Sequence, residues 1–117
     1  MGIPTEEGTS RLDSYGIRRL VLDVLKPHNP NIVYLADHLC TQEEIKGVNI
    51  TVVEVDAETE SVKITIDGSK LDYEKIRIDL EDHGAAIHSI DQVVATKDSF
   101  ERIDLVEEAL TPIKNNQ

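Results

Sequence analysis

The chain has 117 residues, with 23 acids against 12 Lys and Arg and a formal charge of −11. That length fits one domain around one modest core. The charge repels phosphate backbones and anionic lipid surfaces, and with no Trp and one Phe there are no aromatic platforms for single-stranded nucleic acid. Charge and composition thus argue against nucleic acid and membrane as partners and favour cations, basic partners or plain solubility.

Residues 1 to 15 are polar and carry no apolar period, so they read as a flexible leader. They also lack the basic start and apolar stretch of a signal peptide. From Ile17 to Leu25 a partly β-branched apolar run reads as a first buried strand, ended by Lys26 and Pro27. Asn29 followed by Pro30 is a helix start. Ile32, Leu35, Ala36 and Leu39 then form a core-facing stripe that fades near Thr41. The single Cys40 has no partner for an internal disulfide and no CxxC neighbour, and reads as a core or interface thiol.

Val48 to Val55 and Ser61 to Ile66 are β-rich runs on either side of the acidic turn Asp56 to Glu60, and read as a hairpin. A second helix follows. Asp72 can cap it, Leu71 and Ile76 sit where a hydrophobic staple belongs, and Gly84 suits a left-handed exit. Tyr73, Ile76, Leu80 and His83 share one face. Ala86 to Val94 is a fourth strand. The spacing beyond Lys97 predicts a helical tail over 98–117, in which Ile103, Val106 and Leu110 repeat before Pro112.

The order strand, helix, strand, strand, helix, strand predicts an α+β fold, a ferredoxin-like βαββαβ sandwich over 16–97. Its four-stranded antiparallel sheet carries both helices on one face. No apolar run approaches the roughly 20 residues of a membrane span. A cytoplasmic location is expected.

The stretches IRRLVLDVLKPHNP at 17–30, GVNITVVEVDAETESVKITIDG at 47–68, LDYEKIR at 71–77 and GAAIHSIDQVV at 84–94 resemble the archaeal proteins of domain-of-unknown-function family 211. The resemblance implies a ferredoxin-like fold, a compact archaeal protein without an assigned reaction, a homo-oligomer, and metal binding as an open role.

The topology gathers distant acids. The loop after the first strand, the hairpin between the second and third, and the turn before the fourth emerge at one end, which would hold His28, Asp56, Glu58, Glu60, Asp82 and His83, with His88 close by. Carboxylates gathered there could bind a hard cation such as calcium or magnesium through oxygen; the alternative is a solvated acidic turn. Alternation also turns Arg19, Val21 and Asp23 to the open sheet face, with Lys63 and Thr65. If Ala86 and Ile90 are buried, Ser89 and Asp91 point outward too, so that Asp23 and Asp91 could share a cation unless Arg19 or Lys63 neutralises them. Near its helix end His83 is expected to pack or to meet terminal carbonyls, and His38 to lie on the outer helix surface.

No nucleophile turn, HExxH or phosphate loop is present in the sequence, and no enzymatic activity is expected. The expected role is a homo-oligomeric binding protein for a divalent cation. The alternative is a regulatory small-metabolite-binding module similar to amino-acid-sensing ferredoxin-like domains, with the Gly84-Ala85-Ala86 turn allowing close approach of a ligand.

Overall fold

The computed structural model describes residues 16–97; the expected leader over 1–15 and helical tail over 98–117 lie outside them. In chain order the elements are β1 (Gly16–Pro27), α1 (Ile32–Leu39), β2 (Ile45–Val55), β3 (Thr59–Gly68), α2 (Tyr73–Asp82) and β4 (Ala86–Thr96). The sheet runs β2-β3-β1-β4, and every neighbouring pair is antiparallel. Each helix therefore carries the chain over an intervening strand to a parallel partner, as in a ferredoxin-like fold.

Alternation along β1 and β3 builds the core. Leu20, Leu22 and Val24 face Ile66, Ile64 and Val62 across the ladder, and all six are buried together with Leu35 and Leu39 of α1 and Ile76 and Leu80 of α2. Both helices thus pack on the same sheet face. The opposite face is open to its surroundings among the described residues at Lys63 and Asp91.

Local chemistry sets the boundaries. α1 begins two residues later than Asn29-Pro30 suggests, because Asn31 is the residue that takes extended backbone, its Oδ1 accepting from Tyr34 N at 2.9 Å. Asp72 caps α2 by accepting from Lys75 N, and the flanking Leu71 and Ile76 are buried. Gly84 exits with φ +85°, where a Cβ would also press on Pro27 Cγ.

The β2–β3 hairpin is tighter than the acidic run implies: Asp56 N donates to Thr59 O at 2.8 Å, so Thr59 and Glu60 join β3. Lys26 and Pro27 thereby gain ladder partners, and β1 continues past Leu25. Cys40 ends α1 and is exposed, which corrects its reading as a core thiol.

One expectation about β4 fails. The condition that Ala86 and Ile90 be buried is not met: Ala86 is exposed, and Ile90, although it lies opposite the core residue Leu22, is about half exposed; Ile87, opposite Val24, packs on the core. Two register shifts, between Asp23 and Val24 and between Val21 and Leu22, each break the alternation. A bulge adds a residue to one strand and resets which face the next side chain takes.

Candidate functional site

At the hairpin end the chain brings together His28, Glu60 and Asp56, as the topology requires. His28 Nδ1 lies 3.0 Å from Glu60 Oε2, and its Nε2 lies 3.1 Å from both the Asp56 and Ala57 carbonyls. With acceptors on both sides, the protonated ring donates from both nitrogens, and the Glu60 hydrogen bond first, then the Ala57 carbonyl, raise its pKa. Glu60 is lowered in turn, by His28 first and then by Lys26.

Lys26 supplies the second cation. Its side chain is only 1% exposed, yet its Nζ donates to Pro27 O at 2.7 Å and to Glu60 Oε1 at 3.1 Å. Both carboxylate oxygens of Glu60 are therefore engaged, and an added cation here would have to displace the Lys26 ammonium or the His28 ring. Asp56 reaches His28 through its backbone carbonyl, while Glu58 is exposed at the turn. Gly84 sets the turn before β4 against Pro27. That close approach serves packing within the chain.

The open sheet face holds a second group. Asp23 pairs across the ladder with Lys63 on one side and Ser89 on the other. Lys63 Nζ reaches past it to Asp91 Oδ2 at 3.0 Å, and Ser89 Oγ donates to Asp91 Oδ1 at 2.8 Å. Ser89 first and Lys63 next lower the Asp91 pKa, with a smaller contribution from His88. His88 thus belongs electrostatically with the open-face acids. The Asp23 carboxylate has no hydrogen bond or ion pair among the described residues. Arg19 is matched to Asp67 instead, through two bonds of 2.6 and 2.8 Å.

The sequence model of the family described as uncharacterised ArCR, domain-of-unknown-function family 211, matches residues 18–109. The chain belongs to family 211. It is 52% identical over 97 residues to the uncharacterised protein MJ0319 of Methanocaldococcus jannaschii, covering 83% of this chain and 94% of that one. The matched span includes both acid groups of this family 211 chain. Among the described residues no helix is long and apolar enough to cross a membrane.

Sequence reasoning passed over Lys26, Asp79 and the approach of His38 to His83. Extending the inward parity of Leu20, Leu22 and Val24 by one step would have flagged Lys26 as a buried cation in need of an acid. His83 does meet a carbonyl, that of Asp79 at 2.8 Å. His38 is not on the outer helix surface: it turns toward α2, with Nε2 2.9 Å from Asp79 Oδ1. The Asp79 and His83 spacing of four was visible along the chain; their nearness to α1 depends on how the helices lie together.

Proposed function

We propose that this family 211 chain is a homo-oligomeric, cytoplasmic binding protein. Its copies join along sheet edges, and its open sheet face takes a divalent cation, calcium or magnesium, at Asp23 and Asp91. The role is binding rather than catalysis.

The observation that carries the assembly lies at the two outer strands. On the edges, Val52, Val53 and Val55 of β2 are 38, 63 and 62% exposed, and Ile90 and Val93 of β4 are 47 and 51% exposed. Val52, Ile90 and Val93 pair with the core residues Val62, Leu22 and Leu20, so they sit on the helix side of the sheet. An apolar row beside a backbone edge that has no strand partner among the described residues favours pairing with another chain. A second copy would extend the sheet and bring its own helix layer over these side chains.

Support for a cation comes from the open face. The Asp23 carboxylate has no partner among the described residues, and a cation shared with Asp91 would displace Lys63 Nζ and Ser89 Oγ from the two Asp91 oxygens. Oxygen ligands of this kind suit hard cations. Calorimetric titration of chelator-treated protein with calcium and magnesium tests it: binding heat that disappears in the Asp23→Asn, Asp91→Asn double variant supports the reading, and no heat for either ion removes it.

A regulatory metabolite-binding module is the second reading, favoured by a groove on the same molecule lined by Arg19, Gly47, Val48, Asn49, Thr65 and Asp67. The Arg19 and Asp67 pair there offers both charges to a zwitterion. A thermal shift with amino acids, lost in Asp67→Asn, would distinguish it from the cation reading.

A further inference from the structure

We infer that His38, Asp79 and His83 form a binding site for a borderline divalent metal such as zinc, in the groove between α1 and α2. The site is separate from the open-face acids, because the helices pack on the other face of the sheet.

Three elements of geometry carry it. Asp79 and His83 stand four residues apart on α2 and so share a helix face, and α1 brings His38 to them. One ligand atom from each residue lies within 4.8 Å of the others. Zinc bonded at about 2.0–2.2 Å separates tetrahedral ligands by about 3.4 Å, a contraction that small side-chain rotations supply. The His38 and His83 rings are already 4.5 Å apart between centroids, with the Tyr34 ring 5.8 Å from each.

The surrounding hydrogen bonds orient the donors. His83 Nδ1 donates to the Asp79 carbonyl at 2.8 Å and stands 3.6 Å from Asp79 Oδ1, which fixes the ring beside the carboxylate; while that bond holds, Nε2 is the unprotonated ring nitrogen. Gln42 Nε2 donates to Asp79 Oδ2 at 2.9 Å, so Oδ1 remains the oxygen turned to His38. Metal-bound imidazoles and carboxylates are held by partners of this kind. Two nitrogens and one oxygen select zinc, cobalt or nickel over calcium and magnesium, which prefer all-oxygen shells. Binding would replace the hydrogen bond between His38 Nε2 and Asp79 with two metal bonds and release any proton held there. Three protein ligands leave a fourth tetrahedral position for water.

The test uses the full-length, untagged chain stripped with chelator and titrated with zinc by calorimetry and with cobalt by visible absorption. The expected result is about one ion per chain and the visible bands of cobalt with nitrogen ligands. Affinity should fall on the order of 100-fold in His38→Ala and His83→Ala, and roughly 10-fold in Gln42→Ala. Asp79→Asn, nearly the same shape, serves if an alanine variant does not fold. The Asp23→Asn, Asp91→Asn variant should bind zinc as the unaltered chain does. Absence of saturable zinc binding, or equal affinity in the folded His38, His83 and Asp79 variants, overturns the assignment.

Discussion

His28 Nδ1 lies 3.0 Å from Glu60 Oε2, tying the loop after β1 to the start of β3. This contact ought to be visible in the pH dependence of stability. The His28 pKa is raised from its ordinary 6.5, so its contribution is complete below that value and is lost as pH rises through the higher folded one. The Glu60 pKa is lowered from 4.5, so its contribution is present above that value and is lost as pH falls through the lower folded one. Thermal unfolding from about pH 5 to 9 should show a steeper alkaline decline for the unaltered chain than for His28→Ala. Parallel curves would remove the contact from the account.

Lys26 should matter more than any surface cation. Its ammonium is enclosed, and Lys26→Met leaves the Pro27 carbonyl and one oxygen of Glu60 without a donor. Urea unfolding should register a loss of about 2–4 kcal/mol. Lys63→Met removes an ion pair whose side chains are 47 and 33% exposed, and should cost less than about 1 kcal/mol. Equal losses would argue against the buried pair.

Gly84 is a position where the helix exit demands glycine. Its φ of +85° disfavours any Cβ, and the added methyl would also stand 3.2 Å from Pro27 Cγ. Gly84→Ala should destabilise by about 1–2 kcal/mol in chemical denaturation. Gly47→Ala, whose methyl meets nothing within 4 Å, should change stability by about 0.5 kcal/mol or less. A neutral Gly84→Ala would contradict the helix-exit geometry.

The fold was legible because its signals are local and agree with one another. Alternation through Leu20, Leu22 and Val24, the Asp72 cap with its Leu71 and Ile76 staple, and the Gly84 exit each act within a few residues. What alternation could not supply was the face of β4, since a bulge beside Asp23 leaves no mark in an apolar pattern that still reads as a strand. Asp23, Lys63, Ser89 and Asp91 nevertheless meet on one face, because β1 and β3 keep strict alternation and Ser89 is reset opposite Asp23. The hairpin end was legible as a place but not as an electrostatic state: Glu60 was visible as one acid among several, while Lys26 looked only like the end of a strand. The His38, Asp79 and His83 group was hidden for a different reason. It joins two helices 41 residues apart between His38 and Asp79, and no periodicity within either helix reports the distance between them.

The mass of the full chain in solution, by sedimentation equilibrium at several concentrations, bears most directly on the proposed assembly. A mass of several chains that falls toward a single chain in Val53→Lys and in Val93→Lys, with the helical circular-dichroism signal unchanged, is the expected result. A chain that remains monomeric throughout the concentration series, or an assembly indifferent to charge at both edges, would contradict it.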